Sequence, residues 1–323
     1  MHGFTLLEDD TPPASLNARP SVVAVGNFDG VHRGHKAVLL RAKSRAAELG
    51  VRAAVLTFEP HPADFFADAS TIFRLTPLPA KARLIERLGL DAMVVLSFNK
   101  VLAELSAGEF VSRILVDTLR VGTVVVGYDF HFGKRRGGTP AFLTEAGAQH
   151  GFGVEIIGKV EAPATDGQGS PSSSTLTRQA LRDGDVARAA ELLGHAFTIS
   201  GTVAPGQELG RTLGFPTANI QADPSCRLRH GIYAVRATVD GVTRPGVASW
   251  GRRPTVDNGA PLLETFLFDF SGDLYGKAME VAFVAWLRGE ETFASLDLMM
   301  TQMRQDAQAA RAALAAAPQT SAI

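Results

Sequence analysis

The residues best suited to chemistry stand in one string, Gly26-Asn-Phe-Asp-Gly-Val-His-Arg-Gly-His35. His32 and His35, separated by Arg33 and Gly34, can point into one pocket, where their ring N–H groups would stabilise charge developing on a phosphate under attack. The same pair could instead be structural, capping a helix. The context favours phosphate chemistry, because the string follows a β-branched run, Val22 to Val25, and opens an amphipathic stretch, Lys36 to Leu49. Strand, glycine-rich loop and helix in that order present backbone N–H groups and the positive end of a helix to an anion. No nucleophilic Ser-His-Asp arrangement accompanies the pair.

Four further strings carry candidate groups. Gly201 to Asn219 is punctuated by Gly206, Gly210 and Gly214 and ends in Pro216-Thr217-Ala218-Asn219. Its glycines would let backbone approach phosphates, and Thr217 and Asn219 offer hard oxygen ligands suited to Mg²⁺. The common G-x-x-x-x-G-K-[ST] loop is absent, and a turn-rich β segment explains the glycines equally well. In Leu262 to Phe270, two-residue alternation puts Glu264 on one face with Phe266, Phe268 and Phe270. A carboxylate among aromatics is either a general base or a side chain that snorkels to water. Ser172 to Arg178 is a run of hydroxyls with Arg178 three residues past Thr175 on the same helical face, which by itself reads as a Ser-rich cap with a solvated arginine. Thr57-Phe58-Glu59-Pro60-His61-Pro62 reads by itself as a buried turn as readily as a site.

The elements that must position these groups fall into two halves, as expected for 323 residues. Val22 to Val25, Ala53 to Phe58, Met93 to Leu96, Thr123 to Val126 and Val154 to Ile157 are continuous apolar strands separated by helices. That grammar predicts a doubly wound parallel α/β sheet. Lys36 to Leu49 is read as amphipathic on Ala37, Leu40 and Ala47, and Ser106 with Glu109 is a capping-box start for a helix to Leu119. A loop is expected over Glu161 to Ser173, then helices Thr175 to Arg182 and Val186 to Leu193, the second stopped at Gly194. From Phe197 the pattern changes to alternating strands, with Asp240-Gly241 as a tight hairpin, predicting a small antiparallel barrel. Leu296, Met299, Met303 and Ala310 predict a C-terminal helix packed on it.

Charge and cysteine narrow the partners. With 32 Lys+Arg against 33 Asp+Glu there is no global basic field, which argues against nucleic acid. Cys226 is the only cysteine, which excludes an intrachain disulfide and suits a reducing compartment. The acidic N-terminus, with Glu8, Asp9 and Asp10, lacks the form of a signal peptide, and no apolar run is long enough to span a membrane. A cytoplasmic location is the expectation.

The histidine string is similar to the signature of the bifunctional riboflavin kinase/FAD synthetase family of prokaryotes, and the resemblance runs through nearly the whole chain. Thr57 to Pro62 resembles that family's flavin-side motif, Gly127-Tyr-Asp-Phe-His-Phe-Gly-Lys134 a nucleotide-site loop, and Ser172 to Arg178 its Ser-Ser-Thr-x-Ile-Arg motif. The Gly201 to Asn219 string resembles the riboflavin kinase signature, and Glu264 stands at the place of the family's catalytic glutamate. The resemblance implies an FMN adenylyltransferase domain over residues 18–182, a helical connection over 183–196 and a riboflavin kinase barrel over 197–316. It implies catalytic roles for Asn27, His32, His35, Arg178 and Glu264. ATP-binding roles follow for Gly26, Phe28, Asp29, Gly34, Asp129, Ser174, Thr175, Gly206, Gly210, Arg211 and Gly214. Phe58, His61, Pro62 and Arg288 would hold the flavin, and Thr217 and Asn219 the Mg²⁺. Riboflavin, FMN, FAD and ATP are the implied ligands. The chain departs from the pattern at Tyr128, Thr177, Ser249 and Phe266. Two other readings remain: a protein effective only as the kinase, and a flavin or nucleotide sensor without turnover.

Overall fold

The computed structural model describes residues 4–8, 21–67, 72–162, 170–205, 216–252 and 261–317. The chain divides into two compact units, Met1–Ser173 and Ser174–Ala322.

The first unit is built on six parallel strands: β1 (Thr5–Glu8), β2 (Ser21–Val25), β3 (Ala53–Glu59), β4 (Ala92–Ser97), β5 (Val121–Gly127) and β6 (Gly153–Ile157), in the spatial order β1-β4-β3-β2-β5-β6. Alternate residues of β2 enter two different cores. Val23 and Val25 join one with Leu56, Val94 and Val124, while Val22 and Ala24 join the other with Val55, Met93 and Val125. Both faces are thus covered, which is why the strands read as continuous apolar runs. Strand order reverses between β2 and β5, so the loops leaving those two strands flank the switch point where such sheets bind ligands.

Helices α1 (Arg33–Leu49), α2 (Pro62–Ala67), α3 (Leu78–Arg87), α4 (Lys100–Glu104), α5 (Ala107–Glu109) and α6 (Pro140–His150) connect the strands. The stripe of α1 differs from the expected one: Val38, Leu39, Ala42 and Ala46 are buried, whereas Leu40 is exposed. The Ser106–Glu109 capping box is present, with both reciprocal bonds. Beyond it the helix runs on to Thr118 with π-helical hydrogen bonding from Phe110, a departure from the plain α-helix expected. Glu161 to Ser173, expected to be loop, contains a short antiparallel pair, β7 (Glu161–Ala162) with β8 (Ser170–Pro171).

The second unit begins with α7 (Ser174–Asp183) and α8 (Val186–Leu193), the latter ending at Gly194 in the left-handed conformation. Six antiparallel strands follow, β9 (Thr198–Thr202), β10 (Thr217–Gln221), β11 (Gly231–Val239), β12 (Val242–Arg252), β13 (Pro261–Leu267) and β14 (Ala278–Arg288), in the order β10-β13-β12-β11-β14-β9. A bridge from Ala204 to Asn219 joins the two ends into a nearly closed barrel. Asp240 and Gly241 both take positive φ, 50° and 77°, as a tight hairpin between β11 and β12 requires. Tyr233, Val235, Ala237, Ala248, Trp250, Leu263, Val281 and Phe283 are buried on alternating positions and fill the interior.

Helix α9 (Leu296–Ala316) packs outside the barrel, with Ala310 and Leu314 against Ala234 and Phe268. Its stripe starts later than expected, since Leu296 is exposed. Strand β13 also stops at Leu267, so Phe268 and Phe270 lie beyond the alternation predicted for them, and Phe268 is buried under α9.

Candidate functional site

Between β2 and α1 the chain makes a tight, buried turn: Phe28, Gly30 and Val31 all have positive φ, at 49°, 86° and 42°. Two non-glycine residues in that region are strained, so the loop must be held from outside. Asp29 does the holding. Its buried carboxylate accepts from the backbone N–H of Leu75 at 3.2 Å and of Thr76 at 2.9 Å, and from Thr76 Oγ1 at 3.3 Å. Thr76 Oγ1 in turn accepts from Gly30 N–H at 2.8 Å. Phe28 lies in the core under α1. Both residues, implied as ATP-binding, are thus also structural anchors of the loop.

His32 is the N-cap of α1: its Nδ1 accepts from the His35 backbone N–H at 3.2 Å. The capping alternative is therefore real, and it has a chemical consequence. With Nδ1 an acceptor, the neutral ring carries its proton on Nε2 and can donate there. The two imidazoles stack with centroids 3.6 Å apart, and Phe28 meets His35 edge-on at 5.3 Å. A Cβ at Gly34 would come 3.1 Å from the His32 ring, so glycine is what lets the rings sit this close.

The first turn of α1 holds Arg33 and Lys36 and no acidic residue. Cations there oppose the helix dipole. Burial, with Arg33 adding to it, holds Lys36 below its ordinary pKa. An anion would relieve both penalties. Arg33 and Lys36 were not singled out from sequence, although cations opening a helix after a glycine loop were visible there.

Across the switch point, Tyr128 and Asp129 are exposed at the end of β5, and Asp129 folds back over Gly127. At the end of β3, Phe58 is buried and edge-on to Phe98. His61 Nδ1 accepts from Ala63 N–H at 3.2 Å, and Pro62 begins α2. Beneath this turn lie charges that the sequence reading passed over. Arg74 and Lys81 both reach Glu59, and Arg74 lies 3.9 Å from Asp64. Burial opposes the Arg74 charge, yet the hydrogen bond and field of Glu59 hold its pKa above the ordinary value.

In the second unit, cross-strand register assembles the other set. Asn219 stands opposite Glu264 and Glu264 opposite Ser249, while Thr217 stands opposite Phe266 in the next row of the same face. That face points away from the barrel interior, which takes Ala218, Ile220, Leu263 and Thr265. Asn219 Oδ1 is buried with no hydrogen-bond partner among the described residues. An orphaned amide oxygen beside a threonine and a carboxylate is a donor set that fits a hard divalent cation. Among the described residues there is no cluster of three His, Cys, Asp or Glu, so a protein-only metal cage is absent there. ATP-using kinases and adenylyltransferases generally need a divalent metal, carried largely on the phosphates.

Ser174, Thr175 and Arg178 lie on α7, which is grouped with the second unit. The Arg288 guanidinium is committed to Asp306 on α9 by bonds of 2.8 and 2.7 Å. Gly206, Gly210, Arg211 and Gly214 lie outside the described residues.

A parallel sheet with an anchored anion-facing loop at its switch point, followed by a barrel with hard oxygen donors on its wall, defines a two-site protein of the phosphate-transfer class. The FAD synthetase family matches residues 14–173 and the riboflavin kinase family residues 193–314. The bifunctional riboflavin kinase/FMN adenylyltransferase of Pseudomonas fluorescens is 46% identical over 92% of this chain and 95% of its own. That of Escherichia coli (strain K12) is 41% identical over 90% and 91%. A crystal structure described as a macrolide-efflux protein from Streptococcus pneumoniae superposes with a TM-score of 0.81, at 27% identity, over 95% of this chain and 98% of that one. Among the described residues no helix is long and apolar enough to cross a membrane. The chain belongs to the bifunctional riboflavin kinase/FMN adenylyltransferase family.

Proposed function

We propose that this chain phosphorylates riboflavin to FMN on the barrel and adenylylates FMN to FAD at the histidine loop, using ATP and Mg²⁺ in each step. The observation that carries the reading is the match of both family domains, in order, within single relatives that align over nearly the full chain.

In the kinase step, a riboflavin hydroxyl oxygen attacks the γ-phosphorus of ATP, its proton passes to the Glu264 carboxylate, and ADP leaves. Thr217 and Asn219 would hold Mg²⁺, which supplies neutralisation of phosphate charge when bound. In the second step, an FMN phosphate oxygen attacks the α-phosphorus of ATP and pyrophosphate leaves. No proton need move, so the protein's task is orientation and charge. The Nε2–H of His32, the His35 ring, and the cations Arg33 and Lys36 serve the polyphosphate. Asn27 and Asp129 border it from the two sides of the switch point. The flavin is assigned to the Phe58–Pro62 turn in the first site and to the neighbourhood of Arg288 in the second. The balanced charge and lone buried Cys226 support a cytoplasmic enzyme of small molecules.

The test is incubation of the purified full chain with riboflavin, ATP and Mg²⁺, followed by chromatographic separation of the flavins. FMN and FAD both accumulating is the expected result. FMN alone would leave only the kinase, and unchanged riboflavin would leave a binding protein.

A further inference from the structure

Lys81 sits on the apolar stripe of α3 with Ala82 and Ile85, and only 1% of it is exposed. An ammonium in such a place is disfavoured unless its partners compensate for the lost water, and an apolar side chain of similar length would be better tolerated. Burial pulls its pKa below the ordinary value, while Glu59 works against that pull. The partners are specific. Nζ lies 3.4 Å from Thr57 Oγ1 and 3.3 Å from Glu59 Oε1. Thr57 Oγ1 donates onward to the carbonyl oxygen of Asn27 at 3.1 Å. Thr57 is itself fully buried, so valine would fill the same space, and packing alone does not call for a hydroxyl. The relay ends on Asn27, at the start of the loop that Asp29 anchors.

We propose that Lys81 and Thr57 are positioning residues for adenylyl transfer. The ammonium orients and polarises the Thr57 hydroxyl, the hydroxyl holds the Asn27 carbonyl, and the loop thereby presents its amide and histidines in one geometry. Through Glu59 the same ammonium ties the Phe58–Pro62 turn to that loop, so the nucleotide side and the flavin side of the site share one buried support. Neither residue touches substrate in this scheme, which rests on the adenylyltransferase reading of the first unit.

Thr57→Val and Thr57→Ser, made in the full chain, separate the hydroxyl from the packing. FAD formation from FMN is measured with ATP and FMN varied in turn, and riboflavin phosphorylation by the same preparation reports on the rest of the protein. In Thr57→Val, kcat for FAD formation is expected to fall about tenfold or more while both KM values stay within about twofold, as misplacement of reacting groups predicts. Thr57→Ser is expected to keep kcat within about threefold, since the relay survives. Lys81→Met is expected to lower kcat at least as far as Thr57→Val, because it also releases Glu59, and the double variant to be no worse than Lys81→Met, because the hydroxyl and the ammonium act on one carbonyl. A wild-type kcat in Thr57→Val, equal damage in Thr57→Ser, or multiplying losses in the double variant would each overturn the proposal. Wild-type protein that makes FMN but no FAD overturns the adenylyltransferase reading, and the proposal falls with it.

Discussion

In the first unit the candidate chemistry hangs on a loop leaving a parallel sheet, whereas in the second Thr217, Asn219 and Glu264 are part of the sheet itself. A loop with Phe28 and Val31 at positive φ has no register to hold it, and it depends on anchors such as Asp29 that need never meet a ligand. A row of strand residues is held by the ladder on either side. Damage therefore spreads through buried hydrogen bonds in one site and through backbone spacing in the other.

Two separate sites can be lost one at a time. His32→Ala with His35→Ala is expected to abolish FAD formation and leave FMN formation measurable. Glu264→Gln is expected to lower FMN formation on the order of 100-fold or more, with FAD formation from added FMN retained. Equal loss of both activities in either variant would contradict separate sites. Next in size, Asp29→Ala leaves the N–H groups of Leu75 and Thr76 buried without their acceptor. It is expected to destabilise the first unit by roughly 3 kcal/mol in denaturant unfolding. FAD formation falls with it, and FMN formation does not. The barrel's counterpart is Gly231→Ala. Gly231 has φ of 147°, and an added Cβ would lie 2.3 Å from the Arg288 carbonyl oxygen. A loss of about 2 kcal/mol, confined to the second unit and to FMN formation, is expected.

The smallest effect is chemical. Burial pushes the Cys226 thiol up to about 12, from 9.0 when unfolded. Its share of stability is whole below pH 9 and is lost as pH rises toward 12, because the unfolded chain gives up the proton first. The native thiol should resist iodoacetamide at pH 8 and react on unfolding. Cys226→Ala should shallow the alkaline loss of stability without removing it, since burial raises Tyr233 in the same direction.

Much of this was legible in the sequence. Val22 to Val25 is apolar at every position because both faces of β2 are covered, and Asp240-Gly241 carries the residue types that positive φ requires. The histidine loop and the Glu264 strand were visible from residue type and order. What escaped was set by distant partners. Thr5–Glu8 is a strand through pairing with β4, some 87 residues on at Thr5↔Ala92, and no local pattern announces it. The stripe of α1 was misread because Leu40 looks as apolar as Leu39, and only packing decides between them. The π-helical turns after Phe110 reflect tertiary fit rather than propensity. Asp29 could not be told from a ligand-binding acid until Leu75 and Thr76 were seen beneath it.

Asn219 has one more role, as part of the seam that closes the barrel. Its carbonyl accepts the Ala204 N–H at 2.9 Å, and this bridge is where β9's end meets β10. The strand offering the orphaned amide oxygen is therefore also the one that carries the bridge closing the barrel. A divalent cation held by that oxygen is expected to slow hydrogen exchange at Ala204.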